Sequence, residues 1–305
     1  MNVKTRQSII YFGFFSLCFL VMLYAHNWQG AIVFGVCVVL GLLTILFPNA
    51  KGNDDDIPEE EAPKQNGTNR AYLTYYGDEL HFASEDIIAV LTKHSPYFCD
   101  LSEEDKKKFT NRLGKFIDGK TFRIHDSSGF REMPVLISAA AIQLSFGLQK
   151  YLLPNFAIIN IYPEEFMLTI PTIRFLEGNV SGHEINISWK YFLRGLELPA
   201  DGDNVGLHEM AHAYYYQSFG PCLEKDNDFI KAFDAFNIYG NDVYQNLSQS
   251  VTGIYSDYAK KDFQEFWAES VEIFFERYFE MKNTYPLLYE AIADLLKQDP
   301  ANKIT

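Results

Sequence analysis

Ten residues, Val205-Gly206-Leu207-His208-Glu209-Met210-Ala211-His212-Ala213-Tyr214, constrain this chain more than any other stretch. Around the His-Glu-x-x-His core there is no proline and no charge, so two histidines interrupt a helix that is otherwise being buried. Asp203-Asn204 supplies a start signal and Gly220-Pro221 a stop, which gives a helix of ordinary length with both histidines well inside it. Residues four apart share a helix face, so the imidazoles of His208 and His212 project together and can grip one metal ion. Glu209, beside them, can take a proton from a water activated by that ion without ligating it, the division of labour that metal-assisted hydrolysis needs. Three fixed positions also recur by chance in inert chains, so the rest of the sequence has to bear on the reading.

With 305 residues, 48% of them hydrophobic and 16% aromatic, the chain can build one good-sized domain and extras around it. A formal charge of −14 argues against a nucleic-acid partner, because phosphate binding depends on clustered lysine and arginine. Cys18, Cys37, Cys99 and Cys222 have no CxxC spacing, so neither a disulfide framework nor a thiolate metal site is suggested.

Two uncharged apolar runs, Ile9 to Ala25 and Ala31 to Phe47, are separated by His26-Asn27-Trp28-Gln29-Gly30. Each is close to the lower limit of about 17 residues for spanning a bilayer, and the expectation is a transmembrane hairpin over residues 1–50. Lys4, Arg6 and Lys51 put both flanks on the cytoplasmic side, which makes this a multi-pass membrane protein with its remaining domain facing the cytoplasm. Residues 51–70, with six acidic side chains between Asp54 and Glu61, read as a solvated linker. A globular texture begins at Ala71 and defines a domain over 71–305.

Within that domain Ser84 caps an expected helix to about Lys93, and Ser102 with Asp105 forms a capping box for one to about Ile117. Pro134 opens a long apolar helix to about Tyr151, which lacks a polar face and so belongs at the centre of the domain. Phe156 to Tyr162 reads as a buried strand. From His183 to Trp189, Ile185, Ile187 and Trp189 alternate with Glu184, Asn186 and Ser188, the pattern of a strand with one wet face. Lying just upstream of the HExxH helix, such a strand could pair with an extended peptide or be an ordinary edge strand. His183 is a minor ligand candidate, since a histidine at a strand start is more often simply exposed.

A catalytic zinc site normally has three protein ligands and one open position. The pattern with a third downstream histidine is excluded, because Tyr215 and Ser218 stand where it needs glycine and histidine. Carboxylates remain. The segment Asp262 to Glu276 is helical by period and sets Glu265, Glu269, Glu272 and Glu276 on one face, with Phe266, Trp267, Val271, Ile273, Phe274 and Phe275 crowding the other. Spacing does not choose among the four glutamates, and a solvated row or a capping-box Glu265 would have the same pattern.

Ordered blocks carry a resemblance here. They are Leu101-Ser102-Glu103-Glu104-Asp105, Ser138 to Leu144, Ile161-Tyr162-Pro163-Glu164-Glu165-Phe166, Ile187-Ser188-Trp189, and Pro199 to Asn204 leading into His208-Glu209-Met210-Ala211-His212. From about Tyr97 to Glu290 the chain resembles the Mlc titration factor A family of zinc-dependent peptidases, itself similar around the metal to the anthrax lethal factor protease domain. The resemblance implies an α/β zincin-like, gluzincin-type fold with Zn2+ held by His208, His212 and Glu265, the glutamate that opens Glu265-Phe266-Trp267-Ala268. It also implies Glu209 as general base and Tyr258, seven residues before Glu265, as a donor to the developing oxyanion, while Glu272 fits the family pattern outside the ligand set. The expected activity is hydrolysis of a peptide or protein substrate at the membrane. The rival expectation is a binding module that sequesters a regulatory protein such as a transcriptional regulator, for which the general base Glu209 would have no physical use.

Overall fold

The computed structural model describes residues 73–168, 174–222, 224–247 and 253–302. The expected transmembrane hairpin and the acidic linker lie outside these residues. Among the described residues no helix is long and apolar enough to cross a membrane.

The architecture is mixed α/β. Strand β1 (Leu73–Tyr76) leads through α1 (Gly77–Leu80), α2 (Ser84–His94), α3 (Pro96–Cys99) and α4 (Glu103–Asp118) to β2 (Thr121–Ile124). Next come α5 (Met133–Ser145), β3 (Ile158–Tyr162), the hairpin β4 (Phe166–Leu168) and β5 (Arg174–Leu176), and then β6 (Gly178–Ser181) and β7 (Glu184–Ser188). The remainder is helical: α6 (Trp189–Glu197), α7 (Val205–Phe219), α8 (Asn227–Asn246), α9 (Phe263–Glu276), α10 (Tyr278–Thr284) and α11 (Pro286–Leu296). The five-stranded sheet has the order β1-β2-β3-β7-β6, with β2, β3 and β7 parallel and the two outer strands antiparallel to their neighbours.

Period-2 side chains explain the sheet. Phe122, Ile124, Ile159, Ile161, Ile185 and Ile187 are all essentially buried and form its core face. On the opposite face Arg123, Asn160, Asn186 and Asn179 are register partners across four strands. Asn160 donates to Asn186 Oδ1 at 2.9 Å and to Glu184 Oε2 at 2.8 Å, and Asn186 donates to the Asn179 carbonyl at 3.2 Å. These bonds satisfy buried amides and correct the expectation of a wet face on β7: Asn186 and Ser188 are buried. Nor is β7 an edge strand, since β3 and β6 pair with both its sides; among the described residues the edge strands are β6, beside β7, and β1 at the far side. Trp189 opens α6 rather than ending the strand.

Helix α5 is central, as its lack of a polar face predicts, but it stops at Ser145, short of the expected Tyr151. There Arg112 of α4 takes over the carbonyls: its Nη1 donates to those of Ser145, Phe146 and Leu148 at 3.3, 3.0 and 2.8 Å. Ser84 does not cap α2: it is the first helical residue, Ala83 takes the cap position, and no side chain bonds the helix start. Two other caps follow the sequence. Ser102 Oγ accepts from the Asp105 N–H at 3.1 Å, and Asn204 Oδ1 accepts from the Leu207 N–H at 3.0 Å at the start of α7.

Helix α7 packs between α5, the β6–β7 edge and α9. Its contact with α9 is fastened by the indole of Trp267, fully buried, which donates to the Ala211 carbonyl at 3.1 Å. Phe229, Phe233 and Phe236 of α8 surround that indole with ring centroids 5.0 to 6.1 Å away. Tyr216 at the far end of α7 donates to Gln264 Oε1 at 2.6 Å, so the two helices are tied at two heights.

Candidate metal centre

The pairing of α7 with α9 decides which glutamate meets the histidines. Glu265 Oε2 lies 3.1 Å from Nε2 of His208 and 3.1 Å from Nε2 of His212, and the two nitrogens are 3.1 Å apart. Together His208, His212 and Glu265 form a group able to hold a metal ion. Two imidazole nitrogens and one carboxylate oxygen suit a borderline cation such as zinc better than magnesium or calcium, which favour all-oxygen sets.

The other glutamates of the α9 face have separate partners. Glu272 Oε1 accepts from His208 Nδ1 at 2.7 Å, which fixes the ring with Nε2 facing Glu265, and its other oxygen accepts from the Asn204 N–H. Glu269 accepts from Ser256 Oγ at 2.8 Å. Glu276 accepts from Asn204 Nδ2 at 2.8 Å and from the Gly202 N–H at 3.0 Å. The row is therefore neither a solvated face nor a capping box; Asp262 Oδ1 caps α9 by accepting from the Gln264 and Glu265 N–H groups, both at 3.0 Å.

The charges act on one another. Burial works against the His208 imidazolium, but the Glu272 charge and the hydrogen bonds to Glu265 and Glu272 outweigh it and raise the His208 pKa well above normal. His212 moves the other way, held low mainly by burial. At Glu265 burial favours the protonated form, yet the bonds from His208, His212 and Lys261 prevail and hold the carboxyl well below its usual range. Glu209 is fully buried beside the triad, and burial pushes its pKa up to about 8. Its Oε2 has no hydrogen-bond partner.

A cavity of about 470 Å³ opens on the N-terminal side of the triad, lined by Phe175, Glu177, Gly178, Asp203, His208 and Glu209 among others. A second, of about 190 Å³, opens on the side of Val180, His212, Tyr216 and Lys261. Tyr258 borders both. It is half exposed and its hydroxyl donates to Glu265 Oε1 at 3.2 Å. His183 is elsewhere, its Nδ1 bonded to the Asn155 carbonyl at 3.0 Å.

Two residues at the site escape a reading of the sequence. Lys261 donates to Glu265 Oε1 at 2.6 Å and to the Tyr258 hydroxyl at 3.3 Å, and its only signal was the four-residue spacing to Glu265. Gly178 begins β6 directly against Glu209, where the signal was a glycine beside a strand.

An HExxH helix packed against a glutamate-bearing helix, with cavities opening beside the three side chains, is the arrangement of a metallopeptidase. Comparison with known families gives the same class: residues 78–297 match the model of the glucose-regulated metallo-peptidase M90 family, and the chain belongs to that family. This is the family that the resemblance in the sequence pointed to. The chain is also similar to an uncharacterized protein of Synechocystis sp., slr2042, with 24% identity over 221 residues, 67% of this chain and 80% of that protein.

Proposed function

We propose that the protein is a zinc-dependent peptidase in which His208, His212 and Glu265 hold the ion. The observation that carries this reading is the convergence of three donor atoms, two at 3.1 Å from the same carboxylate oxygen, beside a buried carboxylate with a free oxygen. The chemistry such an ion supplies when bound is polarisation of a carbonyl and acidification of a water.

The remaining work falls to the chain. Glu209 accepts the proton of the attacking water at Oε2 and passes it to the leaving amine. Tyr258 turns its O–H from Glu265 Oε1 to the substrate carbonyl oxygen as that atom gains charge, while Lys261 keeps Oε1 satisfied. The free edge of β6, which touches Glu209, suits pairing with an extended peptide, so this role moves from β7 to its neighbour. Residues 1–50 are proposed to anchor the domain to the membrane with the site facing the cytoplasm.

Metal analysis of the full-length chain tests the ligand set. One zinc per chain is expected, lost in His208→Ala and in Glu265→Ala. Full zinc content in Glu265→Ala would mean that another carboxylate is the third ligand.

A further inference from the structure

Gly178 has no side chain at the one place where the free sheet edge meets the proposed general base. A Cβ built there would lie 2.3 Å from Glu209 Oε1, 2.5 Å from its Cγ and 2.7 Å from its Cδ. Real Cβ atoms do not approach that closely, so any other residue has to displace either the strand or the carboxylate. Backbone conformation is not the reason for glycine: Gly182 and Gly202 are the glycines with positive φ among the described residues, and Gly178 is not one of them. Its backbone is that of a paired strand, in register with Ile187 of β7. The constraint is therefore the contact with Glu209.

The strand gives way least, so the Glu209 side chain, which borders both cavities, is the part that would have to move. On the strand side, Gly178 pairs with β7, whose Ile185 and Ile187 are fully buried, and the N–H of Ser188 donates to the Glu177 carbonyl at 2.7 Å. On the helix side, Glu209 is 4% exposed and its backbone belongs to a helix locked to α9. The carboxylate is thus confined on one side by bare backbone, and its Oε2 is buried without a hydrogen-bond partner.

We infer that Gly178 is a positioning residue for hydrolysis: its missing side chain admits the Glu209 carboxylate to the place it holds against the strand, from which it acts as base. This rests on the peptidase reading, in which Glu209 is the base. Gly178 acts through Glu209 and supplies neither a metal ligand nor a reacting group.

The test is a double-mutant cycle in the full-length, zinc-loaded chain between Gly178→Ala and Glu209→Ala, which removes all three of the atoms that a Cβ at position 178 would meet. In the wild-type background Gly178→Ala should lower kcat by about 100-fold or more, the scale of a general-base contribution, with zinc affinity unchanged within about threefold. In the Glu209→Ala background the same substitution should change the residual kcat by less than about threefold. Thermal stability supplies a readout independent of activity: Gly178→Ala should lower Tm in the wild type and lower it less in Glu209→Ala. Additive effects on kcat and Tm, or wild-type kcat in Gly178→Ala, would overturn the role assigned to Gly178 while leaving the peptidase reading intact. No hydrolysis by the wild type would overturn the peptidase reading, and the catalytic role of Gly178 with it.

Discussion

His208 Nδ1 stands 2.7 Å from Glu272 Oε1, a bond between α7 and α9 that orients the imaginary line from the imidazole to Glu265 before any ion arrives. Removing the Glu272 charge while keeping its shape leaves His208 less basic and less firmly aimed. Glu272→Gln should weaken zinc binding by about 10- to 100-fold, the usual effect of losing a partner behind a ligand. Competition with a chromophoric chelator measures this, and wild-type affinity in the variant would deny Glu272 the orienting role.

Trp267 joins the two helices that carry the ligands, through its packing against Phe233 and Phe236 and its bond to the Ala211 carbonyl. Trp267→Ala should destabilise the domain by about 3–5 kcal/mol, the range for emptying an aromatic site in a packed core. Denaturant unfolding followed by circular dichroism reads the loss. A change under about 1 kcal/mol would place the α7–α9 attachment elsewhere.

Glu276 makes stability depend on pH. Burial raises its pKa to about 7 against the bonds from Asn204 and Gly202, so the folded state holds a proton that the unfolded chain releases at ordinary carboxylate pKa. The folded state therefore binds more protons between about pH 4.5 and pH 7, and stability from this group falls as pH rises through that window. Glu276→Gln can still accept from Asn204 and carries no charge. It should gain on the order of 2 kcal/mol at pH 8 and almost nothing at pH 4.5. Equal melting shifts at both pH values would contradict the assignment.

The metal helix and its facing helix were legible because their information is local. Asn204 and Asp262 announce the caps, the four-residue spacing sets His208 and His212 on one face, and the period of Asp262–Glu276 separates the glutamates from the aromatics. Choosing Glu265 needed a resemblance, because the distances to His208 and His212 depend on packing between segments more than fifty positions apart. The β7 reading failed for a related reason. Alternation showed two kinds of face, but which strands flank a strand, and whether Asn186 meets water or Asn160, is decided by long-range pairing. Gly178 stayed hidden because its partner is Glu209, thirty-one positions ahead on another element.

Membrane topology is open to a direct check. With Lys4, Arg6 and Lys51 flanking two apolar runs, protease added to intact cells should leave the domain from Ala71 onward uncut, while lysed cells lose it. Digestion from outside would reverse the proposed orientation.

The central claim is that this site hydrolyses peptides with Glu209 as base. Its most direct measurement compares the zinc-loaded full-length chain with Glu209→Gln against a diverse peptide library, with metal content determined on both. Glutamine has nearly the size of glutamate and can bond the water, but it cannot accept the proton. The account predicts equal zinc content and hydrolysis reduced by about 100-fold or more in the variant. A wild type that binds zinc yet cleaves no peptide faster than Glu209→Gln would contradict it, and the fold would then be read as a docking surface for a regulatory protein.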